Sequence, residues 1–446
     1  MGDSTENAPH LSQRGAHLLS SYGRSTQSAK EILTDGYNST NPDGWINLNA
    51  SQNTLQHPEL LRFLRSKFDL ADVEFKIGDD LSGSRRLLRA LAAFLNRHFG
   101  PWKEVEEEEI ILGAGCAPVT EQLLMYLADP GEGILLPTPS FSGYKHDCMV
   151  RNGLRPVFVH AKMEDHFSTS AIPAFEHALK RAQEQGTTIR AVLLCNPNNP
   201  LGRCYPQAAL LAYARFCETH NLHFVCDEIF AQSTFSSDLP NPVPFVSALS
   251  LDLAAEGCDP ARVHVLYGLS KDFNANGLRG GALISRNRQL LGALRTTSHY
   301  IKMSSATALL WALVLEDKGW WETFVQENRR RLGRAYAYVT AWLRFHQIPY
   351  YPASAGHYIS VNLRQFFPSH DAEGNDIGEE EEAKDDLLNR MLNKGKVLLG
   401  SAAGFNFPEK GWFRLCYSAP DGDVLPGLRR LEKMFDLPEW DGGSGL

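Results

Sequence analysis

Val263-His264-Val265-Leu266-Tyr267-Gly268-Leu269-Ser270-Lys271 is the stretch on which the fold of this chain turns. Val263 to Tyr267 reads as a short buried strand, and the turn after it delivers a lysine. Arg279 stands 8 residues beyond Lys271, within Gly277-Leu278-Arg279-Gly280. A lysine at a strand end near a fixed cation suits imine formation, because neighbouring positive charge favours the neutral amine. A lone lysine is nearly always a surface lysine, so the surrounding pattern has to decide.

That pattern is an alternation. Short apolar runs recur at Ile110 to Leu112, Gly133 to Leu136, Ala191 to Leu194, His223 to Cys226 and Ala282 to Ile284. Helical segments separate several of them, including Val119 to Leu127. Before the first run, Ser84 to Phe99 places Leu87, Leu88, Leu91, Phe94 and Leu95 at helical spacing. Such alternation predicts an α/β fold with a mostly parallel sheet covered on both faces. After about residue 316 the order changes. A long helix over Trp320 to Phe345 precedes strands at Tyr358 to Leu363 and Trp412 to Cys416, as expected of a smaller α+β domain. The expected organisation is an arm over 1–45, a large domain over 46–315 whose first part contributes to the small domain, and a small domain over 316–446. Residues 370–386 and the run Glu106 to Glu109 read as solvated surface. No internal repeat is present.

The 446 residues are 43% hydrophobic and 22% charged, which is ordinary for a globular chain of more than one domain. A formal charge of −8 argues against a nucleic-acid surface but leaves room for a local basic pocket. The 8 cysteines are scattered without a CxxC pair and mostly lie in apolar segments, as reduced thiols of a cytoplasmic protein would. Met1 to Gly15 is polar, so a secretory signal is not expected there. No apolar stretch reaches membrane-spanning length, and neither a membrane partner nor a bound metal is expected.

Three more motifs share the character of the first, each at the end of an expected strand. Gly113-Ala114-Gly115-Cys116-Ala117 precedes a helix, where backbone N–H groups and the helix dipole favour a phosphate. Pro118 stands where a dinucleotide fingerprint would need glycine, which argues against a nicotinamide site. Asn196-Pro197-Asn198-Asn199-Pro200-Leu201-Gly202 makes a rigid turn that either presents an amide or is only a turn. Cys226-Asp227-Glu228-Ile229 ends a buried strand with two acids, costly unless paired, and Asp227 could face a cationic ring nitrogen.

In this order, with 28 residues from Asn199 to Asp227 and 44 from Asp227 to Lys271, the motifs resemble those of fold-type-I pyridoxal-5′-phosphate (PLP) enzymes. Within the class I/II aminotransferases they are most similar to the aminocyclopropane-carboxylate synthase-like branch. The resemblance runs from about Asn41 to Ser418. It includes Ser304-Ser305 after a helix, Gly356-His357-Tyr358 before a strand, and Gly411-Trp412-Phe413-Arg414. It implies a PLP-dependent transferase fold with a large and a small domain, and a homodimer. Lys271 would carry PLP as a Schiff base and move the Cα proton of the substrate. Asp227 would pair with the pyridine nitrogen and Asn199 would donate to the ring oxygen O3′. Arg279, Ser270 and backbone groups at Gly115, Cys116 and Ala117 would hold the phosphate. Phe141 would stack on the ring, with core packing as the other reading. Arg414 would clamp the substrate α-carboxylate in a bidentate pair, with a structural ion pair as the other reading.

The departures bear on the reaction. Phe230 replaces the usual tyrosine that donates to O3′. Gly268 replaces a serine three residues before the lysine, and Ala117 replaces a hydroxyl in the glycine turn. Leu81 stands where a tyrosine would reach the partner subunit's phosphate. Gln52, in Ser51-Gln52-Asn53, replaces an acid beside the substrate, which argues against cyclopropane formation from a sulfonium substrate. Every branch starts with imine exchange and Cα deprotonation, and the protein chooses the exit. The expected exit is elimination with C–S cleavage, as in synthase-like fungal C–S lyases of secondary metabolism. Transamination, cyclopropane formation and PLP binding without turnover are the alternatives.

Overall fold

The computed structural model describes residues 11–76, 78–371, 374–419 and 423–442. Twelve strands occur among them: β1 Ile46–Asn47, β2 Ile110–Gly113, β3 Gly133–Pro137, β4 Arg155–Val159, β5 Ile189–Cys195, β6 His223–Asp227, β7 Val263–Gly268, β8 Gly281–Ser285, β9 Tyr350–Tyr351, β10 Tyr358–Asn362, β11 Val397–Leu398 and β12 Trp412–Cys416. Seven of these form one sheet in the order β2-β8-β7-β6-β5-β3-β4. Only β8 runs against its neighbours; the run β4, β3, β5, β6, β7 is parallel throughout.

The period-2 alternation along these strands sorts their side chains onto two faces. Leu112, Leu135, Val192, Leu194, Phe224, Cys226, Val265 and Tyr267 enter one apolar cluster. Ile111, Ile134, Leu136, Leu193, Val225, Leu266 and Leu283 enter another. Both faces are therefore dry, which is why these strands read as continuous apolar runs rather than as alternating ones. The helices α1 Gln13–Thr34, α2 His57–Lys67, α3 Arg85–His98, α4 Cys116–Leu127, α5 Gly143–Met149, α6 Ile172–Glu184 and α7 Gln207–Thr219 precede or intervene between them, and α8 Arg288–Thr297 and α9 Ser305–Glu316 follow. Of the strands of this sheet, β4 alone is missing from the sequence reading. Its Arg155-Pro156 start and half-exposed edge position dilute the apolar signal.

The long helix α10 Lys318–Phe345 leads into a third apolar cluster, which joins Leu332 to Leu343 with β10, β12, α11 Glu381–Lys394 and α13 Val424–Met434. Ile46 and Leu48 belong to this cluster, because β1 pairs in parallel with β11. A one-turn helix, α12 Ala402–Phe405, lies just before β12.

Within the stretch expected as an arm, Gln13–Thr34 is helical, capped by Ser12, whose hydroxyl accepts from the Gly15 N–H at 3.1 Å. Residues 1–10 lie outside the described set. The stretch 370–386 was expected to be a loop, but α11 begins at Glu381. Its acids Glu381 and Glu382 in the first turn and Lys394 in the last suit the helix dipole, so part of that acidic run is a helix start.

Candidate active site

The motifs meet at the carboxyl ends of the parallel strands, where open α/β sheets bind ligands. A cavity of about 390 Å³ there is lined by Cys116, Ala117, Phe141, Asn199, Asp227, Phe230, Ser270, Lys271, Arg279 and Arg414, among others. Asp227 is the last residue of β6, and the Asn196 N–H at the end of β5 bonds the Asp227 carbonyl at 2.8 Å, locking the two strand ends together. Lys271 follows β7 by three residues, and its Nζ donates to the Ser51 carbonyl. The Asn276 amide donates to the same carbonyl at 3.0 Å.

The charges are tuned by burial. Desolvation pushes the Lys271 ammonium down to about 8, with Arg414 adding to the effect, so a usable neutral amine exists near neutrality. Burial pushes Asp227 up to about 6, against the Tyr144 hydroxyl, the Ile229 N–H and Lys271, all of which favour its charged form. Arg414 is lowered to about 10 by burial and remains a cation. Its Nη1 donates to Asn199 Oδ1 at 3.0 Å, and its Nη2 donates to the Asn49 carbonyl and, at 3.1 Å, to Asn49 Oδ1. This fixes the Asn199 amide so that Nδ2 remains as a donor. The buried Arg414 Nε has no partner. An anion is what that donor lacks.

The residues fit PLP. Gly115, at φ 105°, leads α4, and a Cβ on it would lie 2.4 Å from the Arg279 guanidinium. The glycine is required by that positive φ, and the Arg279 guanidinium lies close to the helix N-terminus, the two together forming a phosphate cradle. Arg279 itself holds the left-handed region at φ 56°, uncommon for a residue with a side chain. Gly268 also has a local reason. A Cβ there would meet the Gly280 carbonyl at 2.7 Å and Cys116 Sγ at 2.8 Å. The Cys116 thiol, which reaches the Tyr267 carbonyl at 3.1 Å, fills the space a serine at 268 would need.

Gln52 is placed apart from the other expected site residues. It lines a neighbouring groove with His57, Leu60, Leu61 and Leu278, while Asn49 and Ser51 of the same segment line the cavity. The segment bends there, with the Gln52 N–H on the Ala50 carbonyl at 2.8 Å, so neighbouring residues line different hollows. The sequence reading passed over Tyr144, whose hydroxyl donates to Asp227 Oδ2 at 2.7 Å. Phe141 lies before α5, and it is the turn closed by the Tyr144 N–H on the Phe141 carbonyl at 3.2 Å that brings the two rings together, which no spacing in the sequence signals.

This arrangement is that of a fold-type-I PLP enzyme. The family model for aminotransferase class I and II matches residues 43–431, and the chain belongs to that family, so it is an enzyme with pyridoxal phosphate as its cofactor. It is 32% identical over 401 residues to "Probable aminotransferase gliI" of Aspergillus fumigatus, covering 88% of this chain and 89% of that one. It is 30% identical over 419 residues to the "Probable inactive 1-aminocyclopropane-1-carboxylate synthase-like protein 2" of Mus musculus, covering 92% of this chain and 69% of that one. A single mutant of Thermus thermophilus aspartate aminotransferase shares the fold, with a TM-score of 0.71 at 19% identity, covering 96% of this chain and 100% of that one.

Proposed function

We propose that the chain acts on the Cα of an amino acid and breaks a C–S bond in its side chain by elimination. The observation that carries the amino-acid reading is the meeting of Lys271, Asp227, Asn199, Arg279 and Arg414 in one cavity. When bound, PLP supplies an aldehyde that condenses with amines and a ring that takes up the electrons of a broken Cα bond. Arg414 holds the α-carboxylate through its free Nε edge. Lys271, with its lowered proton affinity, takes the Cα proton. Asp227 keeps a negative charge against the ring, and Arg279 with the α4 N-terminus holds the phosphate.

The choice of exit rests on the rest of the wall. Beyond Lys271, Arg279 and Arg414, no cation lines the cavity among the described residues, and Phe141, Cys195, Ile229 and Phe230 face it. An uncharged thioether suits that wall better than a second carboxylate does. Transamination is the second reading, favoured by the names of the fungal relatives. Purified protein with S-alkyl cysteine conjugates separates the two. Elimination releases ammonia, a keto acid and a thiol without any keto-acid acceptor; strict dependence on an acceptor overturns it. Lys271→Ala is expected to abolish turnover and the borohydride-reducible linkage to the cofactor.

We also propose a homodimer, with residues 46–315 as the large domain, 316–446 as the small one and 1–45 as an arm. Leu61, Val73, Phe75, Leu81 and Tyr300 are exposed at 49%, 54%, 78%, 66% and 75%. The segment after Tyr300 joins the same surface through Lys302 to the Asp80 carbonyl at 3.5 Å and Ser305 to the Lys76 carbonyl at 3.3 Å. Large apolar side chains left exposed on these segments support a partner of like kind. Light scattering tests it: a fully active monomer at working concentration overturns the assembly.

A further inference from the structure

The acid of this site depends on a group that lies outside the cavity. Tyr144 is 2% exposed and sits in the second position of α5. Its hydroxyl donates to Asp227 Oδ2 at 2.7 Å, while the Ile229 N–H serves Oδ1 at 3.1 Å. Its ring meets Phe141 edge to face, with centroids 5.3 Å apart and planes at 88°. One side chain therefore aims the carboxylate and backs the aromatic residue beside it. We infer that Tyr144 is the positioning residue that keeps Asp227 oriented and negatively charged for the cofactor's ring nitrogen. This rests on the reading that Asp227 faces that nitrogen.

The alternative is that Tyr144 only packs the core. The geometry weighs against it, because a buried hydroxyl spent on a buried carboxylate makes one of the stronger classes of hydrogen bond. Burial and the Asp227 charge push the Tyr144 phenol well above its ordinary range, so it stays a donor throughout working pH. The other titratable groups around Asp227 come from several elements. Cys116 of α4, Cys195 of β5, Cys226 of β6 and Tyr358 of β10 are pushed up by burial and stay neutral. Asp147 of α5 and Glu228 after β6 are raised to about 7 and about 8, and Lys271 is lowered to about 8. Of these, Cys195 shares a hydrogen bond with the Tyr144 hydroxyl, and since burial keeps its thiol neutral with or without that bond, substitution at Tyr144 changes no charge there. A difference between variants at this position therefore reports on Asp227.

The test is equilibrium binding of PLP to the cofactor-free full-length chain from pH 5 to 8, followed by absorbance. Tyr144→Phe keeps the ring against Phe141 and removes only the hydroxyl. It is expected to bind PLP about ten- to a hundredfold more weakly near pH 7. Its loss of affinity on the acid side is expected to begin about one to two pH units higher, because Asp227 keeps its proton longer. An unchanged affinity and pH profile in a folded Tyr144→Phe protein overturns the inference. If that variant does not fold, 3-fluorotyrosine at position 144 replaces it. A more acidic phenol donates more strongly and must move the profile to lower pH, and no movement overturns the inference. Asp227→Asn separates the two levels. If it too keeps the wild-type affinity and profile, the reading of Asp227 fails; if it alone loses them, the role of Tyr144 fails.

Discussion

Phe230 lines the cavity with its ring edge-on to His357 and Tyr358, at centroid distances of 5.3 and 5.4 Å. Lys271 Nζ lies 5.8 Å from the ring centroid. A hydroxyl on this ring would join Asn199 Nδ2 as a donor to the cofactor's ring oxygen. Such a bond to a charged oxygen is worth roughly 1.5–3 kcal/mol, or about one to two pH units. Phe230→Tyr is therefore expected to lower the pH at which the long-wavelength cofactor band titrates. A spectrophotometric titration of both proteins checks it, and an unchanged or higher midpoint means that residue 230 does not face that oxygen. The residues with chemical names, Lys271, Asp227, Asn199 and Arg279, were legible because their motifs sit at strand ends in a fixed order. Tyr144, Asn49 and Ser51 were not. Their parts depend on which way the side chains of one turn or one bend point, and no local pattern announces that.

At the scale of elements, the crossing of α4, β7 and β8 explains a departure that the sequence could only register. Gly268 and Cys116 share one volume, with the Gly280 carbonyl on the other side. Gly268→Ser alone is expected to destabilise by about 1–3 kcal/mol through overpacking. Adding Cys116→Ala is expected to recover part of that loss by removing the thiol. Denaturant unfolding of the single and double variants measures the coupling, and strictly additive effects would contradict the shared volume. The strands of the large sheet were readable from their apolar runs because both faces are dry. The edge strand β4 and the first turn of α11 were hidden by exposure, which erases the apolar signal.

Across the whole molecule, burial leaves a set of acids that hold protons longer in the folded chain than in the unfolded one. Asp147 and Asp272 are raised to about 7 and Glu228 to about 8, each chiefly by desolvation. A folded state that binds more protons loses stability as pH rises through those values. The histidines His98, His160, His166, His223, His264 and His357, all lowered chiefly by desolvation, act oppositely, up through the ordinary histidine range where the unfolded chain still binds their protons. Lys271, lowered to about 8, adds stability as pH rises past that value. The window from about pH 7 to 8 therefore belongs to the acids. The cofactor-free chain is expected to melt at lower temperature at pH 8 than at pH 7, and a scan at the two values checks the sign.

The helix α10 carries a further consequence. Trp321, Phe324 and Val325 belong to the large sheet's core, while Leu332, Tyr336, Val339 and Leu343 of the same helix belong to the other. Between them the fully buried Asn328 accepts from Asn53 Nδ2 at 2.8 Å and from Asn274 Nδ2 at 3.2 Å. Neither core can come apart without unwinding turns on which the other leans. The two bodies are thus bound into one cooperative unit, and calorimetry is expected to record a single heat-absorption peak rather than two.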